Sequence, residues 1–278
     1  MSAPYLEVTI ALPIDRQDDV IALLTSEGFD SFWQEEETLN AYTNILNAPQ
    51  IEELLTNYGL KAEHIADVPQ QNWNQAWEEN YPSVSVADFC HVYPHFREPQ
   101  AGFQHYLKIT PKMSFGTGHH ETTRSVIRIL QNLSLEGKSV LDMGCGTGIL
   151  GILAYQMGAR PVTWIDNDPQ ATENCTENLI QNGIKEGRIL TGGKEIIPNE
   201  RFNVIVANIQ RNVLLEDGES YALYQEAGDE LIVSGFYASD QAEMVRHFNQ
   251  LNYSLALVLG EADWIALHFT KQTTYAGA

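Results

Sequence analysis

Asp142-Met-Gly144-Cys-Gly146-Thr-Gly148 stands between the apolar stretch Ser139–Asp142 and the segment Ile149–Met157. Glycines at that spacing let the backbone come close to a ligand beside a helix N-terminus, where oriented N–H groups point outward. Asp166 lies twenty residues beyond Gly146, at the end of the apolar run Val162–Ile165 and ahead of Asn167-Asp168-Pro169. A carboxylate in that place can hold both hydroxyls of a ribose, while Asp168 is expected to cap the helix that Pro169 starts. Two cofactor classes fit. Gly146-Thr-Gly148-Ile-Leu-Gly151 satisfies the GxGxxG spacing, and with Asp166 it keeps a nicotinamide-dependent dehydrogenase open. Asp142, just ahead of the glycines, would repel a pyrophosphate but can accept hydrogen bonds from the ammonium or a bound water of a methionine-like moiety. That favours S-adenosylmethionine.

Asn208 ends the run Phe202–Ala207, where a doubly wound sheet presents residues to ligand. Its continuation, Ile209-Gln-Arg, is not the Asn-Pro-Pro-aromatic run used by enzymes that methylate amino groups of nucleobases and glutamine. Upstream, Phe115-Gly116-Thr117-Gly-His119-His120-Glu121-Thr122-Thr123 places two glycines before a polar cluster and a helix over Ser125–Leu130. Adjacent histidines point to different sides of a loop and lack HxxxH or HExxH spacing, so no metal is expected. Thr122 or Thr123 is the expected helix cap, and Glu121 complements the helix dipole.

The elements that must position these residues fall into two patterns. Tyr5–Leu12, Phe29–Glu36 and Leu39–Ile45 read as strands, with helices over Gln17–Glu27 and Pro49–Tyr58 ending at Gly28 and Gly59. This is a small α+β unit, assigned to residues 1–61. Residues 62–95, with their prolines and a short helix over Asn72–Asn80, read as a linker with leading strands. Residues 96–278 repeat strand, turn and helix; the continuous apolar runs Phe202–Ala207 and Glu230–Ser234 imply a parallel sheet covered on both faces. Leu255–Leu259 and Trp264–Phe269 can close it as an antiparallel edge.

Composition narrows the function classes. With 278 residues, 44% hydrophobic and 19% charged, the chain is an ordinary globular protein. No apolar run approaches the ~18–20 residues that span a bilayer, and Met1–Glu7 lacks a signal core, so a cytoplasmic location is expected. Cys90, Cys145 and Cys175 have no CxxC spacing and read as buried thiols. A net charge of −21 argues against nucleic acid and anionic membranes as partners. Residues 1–60 hold one basic residue, Arg16, against eleven acidic ones, a net −10 that serves solubility or docks a basic partner.

The chain resembles the ribosomal protein L11 methyltransferase (PrmA) family. The resemblance rests on Phe115–Thr123, Val140–Leu150, Ile165-Asp-Asn-Asp-Pro-Gln-Ala171 and Val206-Ala-Asn-Ile209, in the family's order and spacing, and runs from about residue 73 to Phe269. It implies a ferredoxin-like substrate-recognition domain followed by a Rossmann-like, seven-stranded methyltransferase domain, and S-adenosylmethionine as methyl donor. The acceptors would be amino groups, lysine side chains and the N-terminal amine, of a basic ribosomal protein. Position by position it points to Thr123, Gly144, Asp166 and Asn208 as cofactor contacts. Asp142, Gly146 and the turn Phe115-Gly116-Thr117 are placed with them, and Asn208 is the candidate catalytic residue. Two departures stand out: Ile-Gln-Arg-Asn-Val-Leu follows Asn208 where the family commonly has Ile-Leu-Ala-Gly-Pro-Leu, and Leu190-Thr-Gly-Gly193 lacks an acid for the adenine amine. A monomer is expected. The dehydrogenase and a non-catalytic S-adenosylmethionine-binding regulator are the competing readings.

Overall fold

Alternation along Leu6–Ala11 buries Val8 and Ile10 and makes the segment a strand, β1. In the computed structural model, which describes residues 5–68, 81–112 and 116–273, it is followed by α1 (Ile14–Ser26), β2 (Ser31–Gln34), β3 (Thr38–Thr43), α2 (Ala48–Asn57) and β4 (Ala62–Asp67). The sheet order is β2-β3-β1-β4, antiparallel throughout. Val20 and Leu24 of α1 and Ile51 and Leu55 of α2 pack with Val8, Ile10, Leu39 and Ala41 in one core. A reciprocal capping box starts α2: the Asn47 side chain accepts from the Gln50 N–H, and the Gln50 side chain accepts from the Asn47 N–H, both at 3.0 Å.

The chain divides between Asn80 and Tyr81. The expected boundary at residue 61 falls just before β4, whose pairing with β1 carries the first unit beyond it. Within the span read as a linker, β5 (Val84–Val86) and β6 (Cys90–Tyr93) join β7 (His105–Lys108) in a three-stranded sheet of the second unit. The helix read over Asn72–Asn80 lies outside the described residues.

In the second unit α3 (Glu121–Leu130) precedes β8 (Val140–Met143), α4 (Ile149–Gln156), β9 (Val162–Asp166), α5 (Pro169–Gln181) and β10 (Arg188–Thr191). Then come β11 (Val204–Asn208), α6 (Arg211–Leu223), β12 (Glu230–Tyr237), α7 (Gln241–Gln250), β13 (Tyr253–Glu261) and β14 (Trp264–Lys271). They build a seven-stranded sheet in the order β10-β9-β8-β11-β12-β14-β13. β8 to β12 run parallel and β14 antiparallel, so the antiparallel edge read from the sequence is present. Alternate residues of the central strands feed opposite cores: Val140, Trp164 and Val206 pack with residues of α3 and α4, whereas Leu141, Ile165 and Ile205 pack with residues of α6 and α7. Strand order reverses between β8 and β11, which opens a crevice at the carboxyl ends of the strands.

Candidate active site

A cavity of about 450 Å³ occupies that crevice, lined by Gly144, Gly146, Asp166, Asn167, Asp168 and Ala171 toward β9, and by Asn208, Ile209, Gln210, Gly235 and Trp264 toward β14, with His120 and Thr122 from the start of α3. Gly144, Gly146 and Gly148 all have positive φ (69°, 54° and 79°), which folds the loop sharply between β8 and α4. Gly151 packs directly on the buried Trp164 ring: a methyl group there would lie 2.6 Å from its Cε2. The third glycine of the motif therefore serves helix–strand packing.

Asp142 is buried beneath the loop and does not line the cavity. Its Oδ2 accepts the N–H of Gly151, in the first turn of α4, at 2.8 Å. Burial pushes its pKa up to about 7, with the nearby Asp166 charge adding to the rise. A dinucleotide needs this helix end for its pyrophosphate, and here a carboxylate occupies it; the dehydrogenase reading loses its phosphate site.

Asp166 is 9% exposed and held from both sides, its Oδ2 accepting the Gly146 N–H at 2.8 Å and its Oδ1 the Asp168 N–H at 3.0 Å. A carboxylate has about four acceptor positions, so two remain for a vicinal diol in the cavity. Asp168 accepts the Gln170 N–H at 2.9 Å as the N-cap of α5, the role expected of it. Asp166→Ala should weaken adenosyl-ligand binding by about 1.5–3 kcal/mol, the range for hydrogen bonds to a charged group; calorimetry reads this, and an unchanged affinity would move the ribose contact elsewhere.

Asn208 reaches the buried Thr123 through Nδ2, 3.4 Å from Thr123 Oγ1, while its Oδ1 is buried without a partner. A buried acceptor left open beside a cavity is a place for a ligand N–H. Thr123 itself lies behind Asn208 and not on the cavity surface. Gly116 and Thr117 also stay off it. Gly116 O accepts from Thr147 Oγ1 at 2.5 Å, and Thr117 Oγ1 lies 3.0 Å from His119 Nδ1. Phe115 lies outside the described residues.

The histidine pair is used structurally. His119 Nε2 is 3.1 Å from the Pro82 carbonyl, and His120, in place of Thr122 or Thr123, caps α3 by accepting the Thr122 N–H at 3.2 Å. The helix accordingly begins at Glu121, four residues before the expected start, because an imidazole Nδ1 substitutes for the usual short oxygen cap. Among the described residues no group of three His, Cys, Asp or Glu side chains is placed to hold a metal ion. The cysteines are buried; contact with Cys175, then burial, pushes the Cys145 thiol up, and burial pushes Cys90 to about 12. Neither is an activated nucleophile.

Gly235 and Trp264 were not found from the sequence. An isolated glycine inside a strand run signals a close backbone approach, and Gly235 makes one: a methyl group there would lie 2.8 Å from the Ile209 carbonyl carbon. Trp264 enters only because β14 returns beside β12.

The "Ribosomal protein L11 methyltransferase (PrmA)" family model matches residues 8–272, so the match includes the first unit. The ribosomal protein L11 methyltransferase of Phocaeicola vulgatus is 36% identical over 276 residues, covering 95% of this chain and 98% of that protein. The protein of the same name from Porphyromonas gingivalis is 37% identical over 264 residues, covering 92% and 91%. Among solved structures, a ribosomal protein L11 methylase from Lactobacillus delbrueckii subsp. bulgaricus superposes with a TM-score of 0.65 at 23% identity, covering 69% of this chain and 100% of that one, which shows the shared methyltransferase fold. With a family model spanning nearly its whole length and relatives above 30% identity over more than nine-tenths of both chains, the chain belongs to the ribosomal protein L11 methyltransferase (PrmA) family.

Proposed function

We propose that this protein transfers methyl groups from S-adenosylmethionine to amino groups, lysine side chains and the N-terminal amine, of ribosomal protein L11. The supporting observation is the charge and hydrogen-bond layout of the crevice and of the floor beneath it: Asp142 of β8 buried under the N-terminal turn of α4, Asp166 with open acceptor positions, and Asn208 with an unpartnered Oδ1. The first half suits a nucleoside carrying a cationic amino-acid tail and repels phosphate; the second suits a nitrogen bearing hydrogen.

S-adenosylmethionine supplies an electrophilic methyl group on a sulfonium, so the chain's task is placement and exclusion of water. Asp166 holds the ribose, and Gly144 and Gly146 line the cavity and present the loop backbone to the ligand. Asn208, at the end of β11, accepts an N–H of the incoming amine at Oδ1 and turns its lone pair toward the methyl group. The amine must be neutral to attack. Free lysine titrates near ~10.4, and burial in this crevice disfavours its ammonium. No general base is assigned, since the nearest imidazoles are a helix cap and a loop tie.

The acidic first unit is the substrate-recognition domain in this reading, a ferredoxin-like unit by its βαββαβ order. Glu35, Glu36 and Glu37 are exposed in the turn between β2 and β3, next to Trp33, which is 63% exposed on the edge strand. A basic protein partner is captured by that charge, and the net −21 disfavours nucleic acid as the substrate; the enzyme acts as a monomer in the cytoplasm in this reading. Replacing Glu35, Glu36 and Glu37 by Lys should slow substrate capture roughly tenfold at low salt, with cofactor affinity unchanged. Wild-type rates should fall as salt rises, because screening acts over ~10 Å at 0.1 M. A triple variant as fast as wild type at low salt would remove this turn from the docking surface. The cofactor half is tested by calorimetry: S-adenosylmethionine and its demethylated product should bind at micromolar strength and NAD should not, and the reverse order would overturn the reading.

A further inference from the structure

Along the carboxyl edge of the sheet, Asp166 on β9 and Asn208 on β11 are followed by Gly235 on β12 and Trp264 on β14. Because β14 is antiparallel, its first residue lies at the edge where the parallel strands end, and Trp264 pairs in register with Tyr237. Neighbouring strands are ~4.8 Å apart, which sets Trp264 about two strand spacings beyond Asn208, on the side away from Asp166. The indole is packed against Tyr237 with ring centroids 4.3 Å apart and 32° between planes, and meets His120 edge-on at 4.8 Å. Trp264 lines the cavity, Tyr237 is 50% exposed, and Gly235 between them and Asn208 has no side chain to block the way.

We propose that Trp264, backed by Tyr237, is the wall that recognises the acceptor's alkylammonium group, a specificity-determining residue at the end of the cavity remote from the ribose site. The inference rests on the reading that amines are the acceptors. An amino group arrives cationic, and its methylated product is cationic again with fewer N–H donors. An indole face attracts that charge without needing a hydrogen bond and without the fixed negative charge that would hold an ammonium protonated. Asn208 then serves the neutral nitrogen at the reacting position, and the aromatic pair serves the charged forms that enter and leave.

The test is binding, read separately from turnover. Protein saturated with S-adenosylhomocysteine is titrated with trimethyllysine amide, a permanent cation without ammonium N–H donors, and with its uncharged tert-butyl carbon analogue. Wild type should prefer the cation about tenfold, Trp264→Phe should keep part of that preference, and Trp264→Leu should bring the two ligands to equal affinity. S-adenosylhomocysteine affinity, unchanged in both variants, shows that the site is intact. Equal binding of the two ligands by wild type would overturn the proposal. So would a Trp264→Leu variant that loses affinity for S-adenosylmethionine but not for S-adenosylhomocysteine, since the ring would then serve the sulfonium. A preference for the cation in a protein that methylates no ribosomal protein would sink the proposed substrate and leave the ammonium wall standing.

Discussion

Alanine at position 235 is expected to leave the sheet folded and to remove cofactor binding. Gly235 sits at φ 98°, at the register shift between Ser234 and Phe236 where β12 pairs with β14. A side chain there would press on the backbone of Ile209, with the carbonyl carbon at 2.8 Å and the nitrogen at 3.0 Å. Ile209 cannot retreat, because its own side chain already fills the space where Gly144 lacks one. The residue after Asn208 is thus gripped between the loop following β8 and the bulge of β12, and a push from Gly235 displaces both the glycine loop and Asn208. Left-handed strain costs about 1–3 kcal/mol for a non-glycine residue, and overpacking costs about as much again. S-adenosylhomocysteine affinity should fall by at least about 30-fold in Gly235→Ala while far-ultraviolet circular dichroism stays that of the wild type. Wild-type affinity in that variant would mean that Ile209 does not set the site.

Asp142→Asn should change how the protein responds to pH. Burial raises the Asp142 pKa to about 7 from 3.8, so the folded state binds the proton more tightly than the unfolded one. The stability this contributes is present below pH 3.8 and is lost as pH rises through about 7. At 1.36 kcal/mol per unit the span is on the order of 4 kcal/mol. Asparagine can still accept the Gly151 N–H, so the unliganded variant should be more stable than wild type at pH 8 and near equal at pH 4. Binding reverses the preference. A cationic ligand above the loop favours ionised Asp142, and wild-type affinity for S-adenosylmethionine should rise about tenfold from pH 6 to 8, a dependence the variant lacks. Parallel pH profiles for the two proteins, in melting and in binding, would show that Asp142 does not titrate in this range.

The central strands could be read directly because both faces of β8, β9 and β11 are buried, which turns them into unbroken apolar runs, and the glycines and Asp166 follow them at fixed spacing. β4 and β10 were harder to see. Ala62–Asp67 and Arg188–Thr191 are short edge strands with charged residues, so neither alternation nor an apolar run marks them. α6 carries Gly218 and polar residues on most sides, and its helical period is faint. At the site, the chemistry that is local in the chain was visible, including the Asp168 cap. What depends on strands meeting was not: Gly235 against Ile209, Trp264 against Tyr237, and the Asn208 amide reaching Thr123 eighty-five residues away. The capping role of His120 was not legible, because histidine is an unusual cap.

Incubating the purified protein with radiolabelled S-adenosylmethionine and ribosomal proteins that carry no methyl groups tests the central claim most directly. Label should enter ribosomal protein L11 alone, on lysine side chains and the N-terminal amine when the labelled protein is digested and its peptides are mapped, and Asn208→Ala should incorporate none. Binding of S-adenosylmethionine with no label in any ribosomal protein, or label on RNA, would contradict the account.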